Sequence, residues 1–213
     1  MSGYLGDVAA LARANLLLEL RSRDTVPAML LFVVSALVVF RFSLPAEASD
    51  LAATGLLWIA VLFTALLALT RAFVAEREQR VLDGLVLAAA DRSTLWLGKG
   101  ISVLAFLVLA EVIALPAYAL FFGALAWSAV AAFALADLGI AAVGTLLAAM
   151  AAAGRARELL LPLLFLPLAI PVVVGGVGAS VEPDPGRYLA LLGVYDAIFA
   201  ILAWASFEYV VTE

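Results

Sequence analysis

The chain of 213 residues contains no cysteine and no histidine. The absence of cysteine excludes disulfide bonds and thiol nucleophiles, and the absence of both excludes zinc sites built from Cys and His. Without histidine the chain can form neither a Ser-His-Asp triad nor an imidazole ligand to haem iron. The phosphate-binding pattern G-x-x-x-x-G-K-[ST] is also missing, since Gly98-Lys99 has neither the first glycine nor the trailing hydroxyl residue. These absences argue against most hydrolytic and redox enzymes and against ATP binding through that loop.

Charged residues are scarce as well, at 14% of the chain, whereas 67% of the residues are hydrophobic. Soluble domains average about 25% charged and about 45–50% apolar residues. An apolar excess of this size cannot be buried in a soluble core of this length, so we expect lipid to be the main solvent. The net charge of −5 is mild, and no basic cluster with interleaved aromatic residues is present. Nucleic acid is therefore not an expected partner.

Six apolar spans, each near the ~20 residues that cross a bilayer, organise the chain. They cover residues 26–44, 52–72, 99–122, 128–153, 159–178 and 188–211. The predicted fold is an all-α polytopic membrane protein with six transmembrane helices in a single domain, residues 1–213. The first 25 residues are too rich in charge for a signal peptide, so we expect the first span to be retained in the mature protein.

A further helix is predicted before the membrane, over residues 2–24. Leu5, Val8, Ala12 and Leu16 fall near one face at helical spacing. This moderate amphipathicity favours an interfacial helix on the cytoplasmic surface. The alternative is an ordinary extension of the first membrane helix.

Basic residues set the predicted orientation. With the N-terminus in the cytoplasm, ten of the twelve basic residues lie on the cytoplasmic side, and only Arg41 and Arg187 lie outside. This distribution predicts cytoplasmic termini. It also puts the polar stretch of residues 71–99, which holds five basic residues, in the cytoplasm.

The polar stretch can form a surface helix. Glu76, Arg80 and Asp83 fall on one stripe at helical spacing, and Glu76 and Arg80 have the favourable i,i+4 order. Gly84 interrupts this charged helix. We interpret the segment 73–97 as a cytoplasmic docking surface, with a solvated loop as the alternative.

Three carboxylates inside the apolar spans are candidates for a functional role: Glu111, Asp137 and Asp196. A charged group in hydrocarbon is costly, so each is expected to face protein or water. For Glu111 the interpretations stay open: it lines a cavity between two permease copies or responds to protonation, or it is a structural residue that satisfies a backbone or hydroxyl partner in the bundle. Trp58 and Trp96, near span ends, fit an interfacial aromatic belt.

The fifth span contains three prolines, Pro162, Pro167 and Pro171, and each removes a backbone hydrogen bond. Together they suggest a functional hinge or a re-entrant hairpin near the outer face, where neighbours or water can satisfy the freed carbonyls. A static kink is the alternative.

The polar stretch resembles the cytoplasmic loop of type-2 ATP-binding-cassette (ABC) exporter permeases. The resemblance rests on the acidic and basic cluster, then Asp83-Gly84-Leu85, a short apolar run, and Asp91-Arg92-Ser93 with Leu97-Gly98-Lys99. Within that group the chain is similar to the CcmB-like permeases of cytochrome c maturation, known as haem exporter protein B. The matching stretches are LARANLLLELRSR (11–23), GLLWIAVLFTALLAL (55–69), EVIALP (111–116) and LLLPLLFLPLAIPVVV (159–174). One departure is that residues 88–90 are alanines where such permeases commonly carry a proline.

The resemblance implies a non-catalytic permease subunit in the bacterial cytoplasmic membrane. Its loop would be a coupling helix that seats on a soluble ABC ATPase through Glu76, Arg77, Glu78, Arg80, Asp83, Gly84, Leu85 and Arg92. It implies a second permease copy, haem-handling membrane proteins and surrounding lipid as partners. ATP would bind the partner subunit, and haem would be cargo rather than a resident cofactor.

Two alternatives share this fold. One is a permease for a drug, lipid or polysaccharide, and the other is a non-transporting scaffold that an ATPase remodels.

Overall fold

The protein is described by a computed structural model that covers residues 2–22, 25–45, 49–71, 93–153 and 157–212. In these ranges the chain forms seven α-helices and no strand. They are α1 (Ser2–Ser22), α2 (Thr25–Ser43), α3 (Asp50–Arg71), α4 (Ser93–Phe122), α5 (Trp127–Ala153), α6 (Arg157–Val181) and α7 (Gly186–Thr212). The six from α2 to α7 are long and apolar enough to cross a membrane. The predicted all-α fold with six membrane spans is confirmed.

The third membrane helix is longer than the sequence pattern suggested. α4 begins at Ser93 rather than near residue 99 and contains 30 residues. At 1.5 Å per residue it is about 45 Å long, against about 30 Å of hydrocarbon in a typical bilayer. α4 is therefore long enough to cross the membrane and still extend beyond it, and its first residues, 93–99, belong to the polar stretch. At its other end Gly123 has a φ of 104°, which favours glycine and stops the helix before α5.

α3 runs antiparallel to both α2 and α4. Near its start, the hydroxyl groups of Thr54 and Tyr118, seven residues after Glu111 on α4, share a hydrogen bond of 3.1 Å. Near its end, Ala68 packs with Met29 of α2 and Phe106 of α4. α5 completes the core, because it packs against α3, α4, α6 and α7.

Trp58 joins three helices in this core. Its side chain is 1% exposed and stacks on Phe133 of α5, with ring centroids 4.2 Å apart and an interplanar angle of 5°. Its indole N–H donates to the hydroxyl of Ser180 on α6 at 3.2 Å. The ring fits because Gly176 of α6 has no side chain where the indole lies.

The interfacial-belt interpretation of the two tryptophans was therefore wrong. Trp96 is also buried, at 9% exposure, and its N–H donates to the carbonyl of Ala142 on α5 at 3.2 Å. Both indoles find a hydrogen-bond partner inside the bundle, so neither needs the membrane surface. The position of each tryptophan near the end of its span did not predict these hydrogen bonds, because the acceptor groups belong to other helices.

α6 is one continuous helix through Pro162, Pro167 and Pro171. The re-entrant hairpin considered from the sequence is therefore not formed, and a hinge at these prolines stays a prediction. The glycines that follow serve packing: side chains at Gly175 and Gly178 would collide with Leu192 and Tyr188 of α7. This part of α6 is therefore a close contact with α7.

The contact between Gly176 and Trp58 gives a stability prediction. Gly176→Ala places a methyl group against the indole ring, whereas Gly193→Ala on α7 meets no atom within 4 Å. Overpacking of this kind typically costs about 1–3 kcal/mol. We expect a clearly lower melting temperature for Gly176→Ala when the full chain is heated in detergent and followed by circular dichroism. Equal melting temperatures for the two variants would contradict this packing.

Candidate functional site

The first polar region of interest is the seam between α1 and the start of α4. The hydroxyl groups of Tyr4 and Ser93 share a hydrogen bond of 2.7 Å. Two turns further along, the hydroxyl of Ser102 donates to the carbonyl of Ala12 at 3.3 Å. The two helices therefore run parallel and in contact over this stretch, which we call the α1–α4 seam.

Gly98 makes the seam possible. A Cβ added there would lie 2.8 Å from the Cβ of Leu11 and 3.4 Å from the backbone nitrogen of Ala12. Small residues let membrane helices approach this closely, and Gly98 and Ser102 are spaced four apart on one face of α4. Sequence reasoning used Gly98 only as part of a loop pattern. The i,i+4 spacing was the signal that could have found the seam.

The seam lies next to the predicted coupling segment, because α4 begins one residue after Arg92. The candidate ATPase contacts Glu76, Arg77, Glu78, Arg80, Asp83, Gly84, Leu85 and Arg92 lie outside the described residues, so their arrangement stays a prediction. The interfacial position of α1 also stays a prediction. What is observed is that α1 packs along the first turns of α4.

The second polar region is a pair of buried carboxyl groups. Glu111 on α4 is 8% exposed and Asp137 on α5 is 1% exposed. The two side chains face each other across the α4–α5 contact, closely enough to interact electrostatically. Glu111 Oε1 and both carboxylate oxygens of Asp137 have no hydrogen-bond partner among the described residues. We call these two residues the carboxyl pair.

Glu111 also lines a narrow crevice between α2, α3 and α4. The crevice has no room for a water molecule, and its walls are almost entirely apolar. Thr64 of α3 is the other polar residue in the wall, and its hydroxyl donates to the carbonyl of Ala60 at 2.7 Å. Water therefore cannot hydrate the Glu111 carboxyl from this side.

Asp196 is not part of this arrangement. Its carboxyl group lies on α7 against Gly139 of α5, where any side chain would collide with it. Gly139 is two residues after Asp137, which is roughly 200° around the helix. Asp196 therefore contacts a different face of α5 from the face that carries Asp137. Both carboxylate oxygens of Asp196 also lack a hydrogen-bond partner within the part of the chain that is described. The structure thus brings together two of the three predicted intramembrane carboxylates.

Metal binding finds no support in this geometry. Among the described residues no three His, Cys, Asp or Glu side chains come together in a group that could hold a metal ion. Two carboxyl groups at one helix contact, with apolar walls beside them, are too few oxygen ligands for a hard cation, which takes about six or more. The chemistry available here is that of a proton and of hydrogen bonds.

Comparison with known proteins gives consistent matches over the whole bundle. The family described as CcmB protein matches residues 7–209. Heme exporter protein B from Bradyrhizobium diazoefficiens is 29% identical over 189 residues, which cover 81% of this chain and 80% of that relative. The family match extends from the first turns of α1 to the last turns of α7, so it includes both the α1–α4 seam and the carboxyl pair.

The seam can be tested by disulfide trapping, because the natural chain has no cysteine. Leu11→Cys with Gly98→Cys places two thiols on facing Cβ atoms. Their 2.8 Å separation is below the about 3.5–4.5 Å of a disulfide, so the seam must widen by about an ångström for the bond to form. We expect rapid cross-linking on mild oxidation, read as a shift in gel mobility after cleavage between the two positions.

The matched control is Leu11→Cys with Gly100→Cys. Gly100 lies two residues further along α4, where the nearest atoms to an added Cβ belong to Thr145 and Ala141 of α5. This pair should stay reduced. Equal cross-linking of the two pairs would show that α1 does not pack on α4 in this register.

Proposed function

The chain belongs to the CcmB protein family, and on that premise we propose that it is the membrane permease subunit of an ABC transporter for cytochrome c maturation. The observation that carries the proposal is the family match over residues 7–209, which spans all six membrane helices. The name of the curated relative, heme exporter protein B, supports haem export as the process that the subunit serves.

Energy for this process would come from a partner. The chain lacks the phosphate-binding loop pattern. A soluble ABC ATPase would therefore bind and hydrolyse ATP, and this subunit would convert closure of the ATPase into movement of its helices. The subunit itself is non-catalytic.

The entry point for that movement would be the cytoplasmic segment 73–97. It follows α3, which ends at Arg71, and its last five residues, 93–97, are the first residues of α4, which begins at Ser93. Force on this segment would reach α3 and α4 first. Because α1 packs against the first turns of α4 at Gly98, α1 would move with α4 as one unit.

The cargo would be haem, or a haem-loaded chaperone released at the periplasmic side. The chain has no histidine, so axial imidazole ligation of haem would lie on haem-handling membrane proteins of the same system. The crevice beside Glu111 is too small for water and therefore for haem. A haem route would lie outside it, at a surface shared with another subunit.

A second copy of the chain supplies such a surface. An ABC transporter contains two ATPase units, and one chain offers one coupling segment, so we propose a homodimer in the bacterial inner membrane with cytoplasmic termini. α2 and α7 have the least-covered apolar spans, with 17% of each span buried within the chain. Their outer faces are available to the second copy and to lipid.

Charge reversal tests the coupling segment. Glu76→Lys combined with Asp83→Lys should abolish co-purification of the ATPase subunit and production of c-type cytochromes, because both carboxylates lie on the face proposed to contact the ATPase. Co-purification from membranes and haem staining of c-type cytochromes are the measurements.

The matched control is Glu182→Lys with Asp184→Lys. These two exposed carboxylates lie between α6 and α7, at the opposite end of the bundle, and the change in net charge is the same. The control should keep both the ATPase and cytochrome production. Wild-type behaviour of the Glu76 and Asp83 variant would refute the coupling role.

A further inference from the structure

The negative charge of the carboxyl pair is not compensated by the described residues around it. Glu111 and Asp137 face each other in the interior of a membrane bundle, and three of their four oxygens have no hydrogen-bond partner in the described structure. Two carboxylates held together in a low dielectric cannot both stay ionised without compensation. Something positive must therefore accompany the pair.

Among the residues that the structure describes, no basic side chain lies beside the pair. The sequence contains no Lys or Arg from residue 100 to residue 154, which covers the rest of α4 and all of α5. Lys99 lies twelve residues before Glu111 on the same helix, about 18 Å away along the helix axis. On α6 no titratable residue occurs between residues 159 and 181. On α2 and α3 the residues that line the crevice beside Glu111 are Val33, Val61 and Thr64, and none of them is charged.

The other titratable groups near the pair are also acidic. Asp196 and Tyr195 of α7 meet α5 at Gly139, two residues after Asp137. Tyr118 lies two turns after Glu111 on α4 and shares its hydroxyl hydrogen bond with Thr54. On α1, the carbonyl of Ala12 accepts the hydrogen bond from Ser102, and the apolar Leu16 packs against the cluster that contains Phe106 and Ala110 of α4. None of these groups supplies a positive charge to the pair.

We propose that Glu111 and Asp137 form a proton-binding site that holds one proton between their two carboxyl groups at the α4–α5 contact. One carboxyl group donates the proton as a hydrogen bond to the other, which satisfies oxygens that otherwise lack a partner. The occupant is a proton because a sodium or potassium ion would need several more oxygen ligands than the two carboxyl groups provide. The crevice beside Glu111 admits no water that could supply them.

The shared proton links the packing of α4 to that of α5. With the proton in place, a hydrogen bond joins the two helices. Without it, two like charges repel each other across the same contact. If the coupling segment moves α4, this link would tie helix movement to proton release; that consequence rests on the proposed function, whereas the proton site does not.

Infrared spectroscopy of the full chain in lipid nanodiscs tests the site directly. A protonated carboxyl group has a C=O stretching band that ionised surface carboxylates lack. At neutral pH we expect Glu111→Gln, Asp137→Asn and the double variant each to lose the same band intensity, because each change removes the one proton that the pair shares. Additive losses in the single variants, or no loss in the double variant, would overturn the proposal.

The matched control is Glu182→Gln with Asp184→Asn, which removes two exposed carboxylates and should leave the band unchanged. Loss of the band in this control would also contradict the assignment. Because Gln and Asn keep the shape of the original side chains, these variants are expected to fold, and the circular dichroism spectrum checks this.

The pH dependence of stability gives a second readout. The folded chain would hold one more proton than the unfolded chain at neutral pH, so stability falls as pH rises, and the unfolding equilibrium shifts about tenfold per pH unit for one proton. The double variant Glu111→Gln with Asp137→Asn should show a shallower fall in melting temperature with pH than the wild type. Identical profiles would overturn the proton site.

Sodium provides the remaining comparison. A melting temperature that rises with sodium concentration in the wild type, but not in the double variant, would identify a metal cation as the occupant and overturn the assignment to a proton. None of these measurements involves the ATPase. Their failure would therefore leave the proposed permease function untouched, and failure of the charge-reversal test would leave the proton site standing.

Discussion

Close packing at glycine is the interaction on which this bundle depends. In lipid, helices gain little from burying apolar side chains against one another, so they associate through van der Waals contact and interhelical hydrogen bonds. Gly98 of α4 is contacted by α1, and Gly139 of α5 is contacted by Tyr195 and Asp196 of α7. Leu69 of α3 lies against Gly144 of α5, and Trp58 of α3 lies against Gly176 of α6. Each glycine leaves no side chain at the point where the neighbouring helix comes closest. Each of these contacts joins a different pair of helices.

Hydrogen bonds between helices complete the packing that the glycines allow. Trp58 reaches Ser180 because Gly176 leaves space for the indole ring. The carboxyl pair differs from these contacts, since three of its four oxygens have no hydrogen-bond partner among the described residues. Buried polar groups without partners are rare in folded proteins, and each calls for an explanation. A shared proton supplies that explanation with the residues already present.

α4 connects all the features that bear on function. Its first residues belong to the proposed coupling segment, it contacts α1 at Gly98, and it carries Glu111 of the carboxyl pair. Because a helix transmits displacement along its axis as a rigid element, a push at Ser93 would reach both the α1–α4 seam and the carboxyl pair. α4 contains 30 residues, which is more than the about 20 needed to cross a bilayer.

The amino-acid sequence alone determined the fold class, the six spans and the family. Hydrophobicity is summed over about 20 residues and needs no knowledge of neighbouring helices. It also identified Glu111 and Asp137 as unusual, because a carboxylate in an apolar run is costly wherever it lies.

Only the tertiary structure decided which of these residues meet. It paired Glu111 with Asp137 and not with Asp196, buried Trp58, kept α6 continuous through its prolines, and packed α1 on α4. These outcomes depend on helix rotation and on which neighbour comes close, and neither is encoded in the local pattern of a single span.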